Sequence, residues 1–117
     1  MGKLSTHVLD ICSGKPGAGV AITLFFIESG QRTLLKNVVT NLDGRCAAPL
    51  LEGDALQVGH YELVFEAGHY FAREGTPMAS PRFIDRVTLA FGVADVSANY
   101  HVPLVVSPWS YSTYRGS

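Results

Sequence analysis

The sequence lacks a charge bias, a long apolar run and a basic cluster. Its 117 residues carry nine Lys and Arg against ten Asp and Glu, with a formal net charge of −1. A chain without a basic surface does not attract nucleic acid or anionic lipid, so neither is expected as a partner. The longest apolar run, Ala21–Ile27, is interrupted at Thr23 and is far shorter than the roughly 20 residues of a membrane-spanning helix.

Cysteine is scarce as well. Cys12 and Cys46 are too few for a disulfide framework, and neither belongs to a CxxC pair. We expect free thiols in a reducing compartment and no zinc or redox site built on them. The start, MGKLSTHVLD, has no apolar segment with a small-residue cleavage site, so a secretory signal is not expected and the cytoplasm is the predicted location.

What the chain does have is β-type segments separated by turns. With 47% hydrophobic residues, residues 1–117 are predicted to form one domain with its own core. Only Ala67–Glu74 lacks alternation, and it predicts a short helix. The predicted fold is an all-β, two-sheet β-sandwich of seven to eight strands with one short helix. The main predicted strands are Leu4–Leu9, Val20–Glu28, Arg32–Val39, Gly59–Glu66, Phe83–Val93, Tyr100–Val106 and Ser110–Arg115.

One predicted strand, Val20–Glu28, is apolar on both faces. Leu24 and Phe26 share one face, while Phe25 and Ile27 lie on the other. This composition indicates a strand that is covered on both sides. We expect another subunit to cover the outer face, and the alternative is a helix or long loop of the same chain.

The last eighteen residues, Tyr100 to Ser117, read YHVPLVVSPWSYSTYRGS. Pro108 predicts a tight turn between two terminal strands. Chain ends usually fray, but this one ends on an aromatic, a basic and a small polar residue directly after a strand. This ending predicts a terminus that is held in place, as at a binding site.

The candidate catalytic groups are two histidines and an arginine. His7 lies in the first predicted strand and His101 in a late one, and these strands commonly neighbour each other, so we expect both imidazoles on one face. Because imidazole titrates near neutral pH, such a pair can activate a water as general base. Arg45, after the Asp43-Gly44 turn, can offer a planar donor fork to an oxyanion or urea-like group. The alternative is two packed strand histidines and a solvated turn arginine.

Two further histidines, His60 and His69, are expected at the surface. A metal site that uses His7, His101 and a third histidine is conceivable. No HxH or HxxxH spacing supports it, so no metal is expected.

Several of these segments together resemble one family. They are LSTHVLD followed by GKPGAGV, the DGR of Asp43–Arg45, HYELVF with AGHYFARE, and the terminal YHVPLVVSPWSYSTYRGS. Over essentially its whole length the chain is similar to the transthyretin-related 5-hydroxyisourate hydrolases. The closing Tyr114-Arg115-Gly116-Ser117 is the tetrapeptide that separates these enzymes from transthyretin, the hormone carrier of the same fold. Val105 is the one departure from the motifs, and it is conservative.

The resemblance implies a transthyretin-like sandwich that forms a homotetramer, a dimer of dimers with the active sites in a channel at the dimer–dimer interface. It implies a small-molecule substrate, 5-hydroxyisourate, whose six-membered ring is opened to 2-oxo-4-hydroxy-4-carboxy-5-ureidoimidazoline in urate degradation. No metal or organic cofactor is expected, because this substrate is already an activated cyclic amide.

The shared motifs also imply roles for individual residues. His7 and His101 would position and deprotonate a water, and Arg45 would bind the substrate and offset charge on its oxygen. Tyr114 would wall the pocket, while Arg115 would steady the chain end. The implied catalytic residues are His7, Arg45, His101 and Ser117, and the implied substrate-binding residues are Arg45, Tyr114, Arg115 and Ser117.

Two other functions remain open at this point. A transthyretin-type carrier of small apolar ligands would need an open tunnel lined by small groups, whereas Tyr114 and Arg115 are bulky and polar. A structural sandwich with no ligand would leave His7, His101 and an ordered terminus without a role.

Overall fold

The computed structural model describes residues 2–117, whose strands form two layers. The first layer is a four-stranded antiparallel sheet of β4 (Ala21–Glu28), β5 (Gln31–Val39), β7 (Gly59–Phe65) and β8 (Val87–Val93). The strand order in this sheet is β5-β4-β7-β8.

The second layer is built from shorter strand segments. They are β1 (Lys3–Ser5), β2 (Val8–Asp10), β3 (Lys15–Pro16), β6 (Leu51–Glu52), β9 (Tyr100–His101), β10 (Leu104–Val106) and β11 (Tyr111–Ser112). Their orders are β6-β1-β9 and β11-β10-β2-β3. Strand β1 pairs in parallel with β9, and β2 pairs in parallel with β10. Backbone hydrogen bonds continue this pairing across the gaps between the segments: Val102 N donates to Ser5 O (2.9 Å), and Leu104 N donates to His7 O (2.8 Å).

The hydrophobic core lies between the two layers. Strands of both layers alternate, so that every second side chain points into the core, and several of these side chains are no more than 1% exposed. The inward residues include Leu4, Val8, Leu104 and Val106 from the second layer and Ile22, Leu24, Leu63 and Phe65 from the first. The predicted all-β sandwich is confirmed.

One α-helix follows the third strand of the first layer. Helix α1 (Ala67–Arg73) buries Tyr70 and Phe71 against the core and exposes His69. The prediction of a helix at 67–74 is therefore confirmed to within one residue. No helix within residues 2–117 is long and apolar enough to cross a membrane.

The outer face of β4 is covered in an unexpected way. The Arg32 guanidinium lies 4.7 Å from the centre of the Phe25 ring and forms a 2.7 Å ion pair with Glu62. This places a charged side chain of the neighbouring strand over the Phe25 ring.

One predicted strand begins later than expected, and two others are divided. The strand predicted at Phe83–Val93 begins only at Val87, because Arg82 Nη1 donates to Gly68 O and Asp85 O accepts from Gly68 N, which tie the preceding segment to the helix. The strand predicted at Leu4–Leu9 is divided around Thr6 and His7. The strand predicted at Tyr100–Val106 is likewise divided at Val102 and Pro103, where proline has no N–H to give.

Candidate active site

The two histidines meet on the outer face of the second layer. In the first strand the even residues are buried in the core and the odd ones, Ser5 and His7, face outward. Strand β9 runs parallel to β1 with Ser5 opposite His101, so the His101 ring projects from the same face. The ring centroids of His7 and His101 are 6.4 Å apart, and both residues are half-buried. The prediction that both imidazoles share a face is confirmed.

The turn before Arg45 places this arginine beside His7. Asn41 Oδ1 accepts from the backbone N–H groups of Asp43 (2.9 Å) and Arg45 (3.2 Å), which closes the turn. Val8 N then donates to Gly44 O (2.8 Å), and Arg45 forms an isolated antiparallel bridge with His7. Arg45 is therefore a residue anchored through its backbone, with its side chain exposed.

Only glycine fits at position 44 of this turn. Its φ is +73°, in the left-handed region, and a Cβ there would lie 2.4 Å from Val8 O. The Asp-Gly-Arg sequence thus has a structural reason. The glycine allows the close approach to the first strand, and the arginine that follows is placed beside a histidine.

The electrostatics keep both imidazoles neutral near pH 7. Burial lowers the pKa of His7, the Arg45 charge lowers it further, and the backbone and carboxylate of Asp43 act in the opposite direction. Burial likewise lowers the pKa of His101, with further contributions from Arg45 and His7. A neutral imidazole has a free nitrogen lone pair, so it can accept a proton. Within residues 2–117 the Arg45 guanidinium forms no ion pair with a carboxylate, which leaves its charge available.

The chain end is pinned to His101. Gly116 N donates to His101 O (2.7 Å), and His101 N donates to Gly116 O (3.2 Å). Gly116 also lies against the ring, because a Cβ built on it would be 3.3 Å from His101 Cδ2. The prediction of a terminus held in place is confirmed, and Ser117 follows directly from this contact. The strand predicted at Ser110–Arg115 is wrong in extent, since β11 ends at Ser112 and the chain then turns back to His101.

Arg115 and Tyr114 lie to the side of this histidine pair. The Arg115 guanidinium lies 4.2 Å from the centre of the Tyr100 ring, and its Nη2 donates to Asn99 O (3.0 Å). Because neighbouring strand residues point to opposite faces, Tyr100 points away from the face of His101. Tyr114 is 62% exposed and borders a small apolar depression of about 210 Å³ with Tyr100 and Val102. These contacts attach the Arg115 side chain to the segment just before His101, and its role in substrate binding stays a prediction.

Two residues near the candidate site, Ser5 and Cys46, were not predicted from the sequence. Ser5 Oγ lies 2.9 Å from His101 Nδ1, and Cys46 lines a cleft of about 220 Å³ together with Ser5 and Arg45. Ser5 has the same parity as His7, so its outward direction was readable from the motif. Its pairing with His101 depends on the strand register, which the motif does not contain.

The remaining histidines and the cysteines lie apart from the pair. His60 and His69 are exposed, as expected. Cys12 is exposed and Cys46 half-buried, and both are free thiols. Among residues 2–117 there is no group of three or more His, Cys, Asp or Glu side chains placed to hold a metal ion.

Comparisons with known proteins agree on the family. The family profile described as HIUase/Transthyretin family matches residues 4–116. A 5-hydroxyisourate hydrolase of Ralstonia nicotianae is 62% identical over 117 residues, 100% of each chain. A crystal structure of (S)-allantoin synthase superposes with a TM-score of 0.95 at 44% identity, covering 99% of this chain and 44% of that one. Sea bream transthyretin in complex with thyroxine superposes with a TM-score of 0.87 at 23% identity, over 97% and 94% of the chains, a likeness that concerns the fold alone. The chain belongs to the HIUase/Transthyretin family.

Proposed function

We propose that this protein hydrolyses 5-hydroxyisourate, opening its six-membered ring to give 2-oxo-4-hydroxy-4-carboxy-5-ureidoimidazoline. The observation that carries the proposal is a pair of half-buried imidazoles whose ring centroids are 6.4 Å apart, beside Arg45, which forms no ion pair within residues 2–117. The 62% identity to a hydrolase of this name along the full chain supports the same reaction.

The chemistry follows from these three side chains. One imidazole takes a proton from a water while the water oxygen bonds to the ring carbonyl carbon. The ring C–N bond then breaks, and the nitrogen that leaves receives a proton from the imidazolium. Having two neutral imidazoles allows one to accept the proton while the other orients the water.

Arg45 supplies the charge that this reaction needs. As the carbonyl oxygen becomes an oxyanion, a guanidinium fork beside it offers two N–H donors and a positive charge. Removing one such donor costs about 10²-fold in rate. The same charge disfavours protonation of both histidines, so Arg45 also keeps the base ready.

The terminus completes the proposed site. Ser117 directly follows Gly116, whose backbone pairs with that of His101, and this supports a role for its hydroxyl or terminal carboxylate in the reaction. Arg115 holds the chain end through Tyr100 and Asn99, and Tyr114 borders the apolar depression to the side of the histidine pair.

We further propose a homotetramer, a dimer of dimers whose channel contains these sites. The apolar surface at the end of one chain supports it: Trp109, Tyr111 and Tyr114 are 61%, 48% and 62% exposed. Large aromatic side chains that are exposed together are typical of surfaces that another subunit covers.

A carrier of small apolar ligands is the second candidate. Its support is the transthyretin fold and the apolar depression next to Tyr114. Binding of an apolar ligand requires neither neutral imidazoles nor a guanidinium beside them, so we rank the carrier second.

The deciding assay generates 5-hydroxyisourate in place from urate with urate oxidase and follows its ultraviolet decay. We expect rapid decay with the protein and a rate at least about 10²-fold lower with His101→Ala or Arg45→Ala. His69→Ala, a change at an exposed helix position, is the matched control and should keep full activity. Decay at the buffer rate with the folded, assembled protein would rule out the hydrolase and leave the carrier.

A further inference from the structure

We propose that Ser5 is a positioning residue that fixes the ring orientation and the tautomer of His101, so that Nε2 is the proton-accepting nitrogen. This inference rests on the proposed function, because it assigns a support to one of its two imidazoles. Nothing in the likeness to other proteins assigns a role to Ser5.

The geometry gives the His101 ring two constraints. Ser5 and His101 are directly opposite in the parallel ladder, and Ser5 Oγ lies 2.9 Å from His101 Nδ1. On another side, Gly116 lies against the ring near Cδ2. Within residues 2–117, Ser5 is the hydrogen-bond partner of the ring, so Nε2 is the nitrogen left for water or substrate.

The neighbouring charges make the direction of this hydrogen bond important. The charged and titratable groups that act on the ring are His7 from the first strand and Arg45 from the turn before the cleft. When Nδ1–H donates to Ser5 Oγ, the lone pair of the neutral ring lies on Nε2. Proton uptake at Nε2 then gives an imidazolium whose Nδ1–H keeps the same partner. The ring therefore gains and loses its proton without rotating.

A comparison with the next residue separates positioning from simple support of the fold. Thr6 Oγ1 donates to Val102 O (2.7 Å) and is buried, so this hydroxyl joins the two backbones. The Ser5 hydroxyl contacts an imidazole instead. The two hydroxyls are adjacent in sequence and link the same pair of chain segments, but only that of Ser5 can affect the protonation of His101.

The first test measures the tautomer in the unmodified protein. Nitrogen-15 NMR of the labelled protein at a pH where His101 is neutral distinguishes Nδ1–H from Nε2–H, and the His101→Ala spectrum assigns the signals. We expect Nδ1–H in the wild type and a mixture of tautomers in Ser5→Ala. A wild-type ring in the Nε2–H form would overturn the proposal, whatever the variants do.

The second test measures the reaction. Ser5→Ala is expected to lower kcat for 5-hydroxyisourate about tenfold with little change in KM, because a mispositioned base slows the chemical step. It should also move the acidic limb of the pH–rate profile to lower pH, since the imidazolium loses an acceptor for Nδ1–H. Ser5→Thr keeps a hydroxyl and should recover most of both effects. An unchanged kcat and pH profile in folded Ser5→Ala would overturn the proposal.

Two further variants serve as controls. Thr23→Val removes a hydroxyl that bonds Asn37 Oδ1 in the first layer, and it should leave activity unchanged. Thr6→Val should lower the melting temperature but leave the His101 tautomer as Nδ1–H. A wild type without hydrolase activity would refute the proposed function, whereas an active wild type with the Nε2–H tautomer would refute only the role of Ser5.

Discussion

Gly116→Ala tests whether the chain end positions His101. Gly116 is not among the residues with positive φ, so alanine adds no backbone strain. Its new Cβ would lie 3.1 Å from His101 Cβ and 3.3 Å from Cδ2, closer than the 3.4–4 Å of ordinary contact. The imidazole or the terminal segment must therefore move by a few tenths of an ångström.

The expected loss is larger in catalysis than in stability. A displacement of 1 Å at reacting groups can cost about 10²-fold, so we expect a fall of about tenfold in kcat for a few tenths. Overpacking costs about 1 kcal/mol at the low end of its range, which applies because the terminal segment can shift. For a chain of this length that corresponds to a fall of about 4 °C in Tm.

The assay compares kcat for 5-hydroxyisourate hydrolysis and Tm in the wild type, Gly116→Ala and Gly92→Ala. Gly92 is the matched control: its φ is also not positive, and its Cβ would lie 3.8 Å or more from other atoms. Light scattering checks that all three proteins have the same assembly. A Gly116→Ala protein with wild-type kcat and wild-type assembly would refute the reasoning that this contact positions the histidine.

Three further predictions concern the pH dependence of activity, the pH dependence of stability and the buried carboxylate of Asp10. Because burial and Arg45 lower the pKa values of His7 and His101, the acidic limb of kcat/KM should lie below pH 6.5, and a limb at or above 6.5 would contradict the neutral pair. The unfolded chain protonates these histidines at higher pH than the folded one does, so the free energy of unfolding should also decrease as pH falls through 6.5. Tyr70→Phe removes a 2.7 Å hydrogen bond to the carboxylate of Asp10, which is 3% exposed, and should cost about 2 kcal/mol in urea unfolding without loss of kcat. Tyr111→Phe, at a 48% exposed position, is its control, and equal stabilities of the two variants would contradict this account.

The sequence was sufficient to predict the elements that depend on interactions between residues close together in the chain. The alternation of Val20–Glu28 predicted β4 because residues two apart lie on one face of a strand, and Ile22 and Leu24 are indeed buried. The helix at 67–74 was predicted by the loss of that alternation. Where the predicted strands were too long, at Phe83–Arg86 and beyond Ser112, contacts with distant segments decide the backbone: Gly68 bonds Asp85, and His101 bonds Gly116.

The candidate site likewise has features that the sequence predicts and features that depend on the tertiary structure. Sequence alone determined the residue types, the outward direction of Ser5 and His7 and the turn at Asp43-Gly44 before Arg45, because these depend on strand parity and local turn preferences. Only the tertiary structure decided that Ser5 is opposite His101, that Gly116 packs on the same ring and that Arg115 contacts Tyr100. These contacts join residues up to 96 positions apart, and a register shift of one residue would turn the same side chains to the other face.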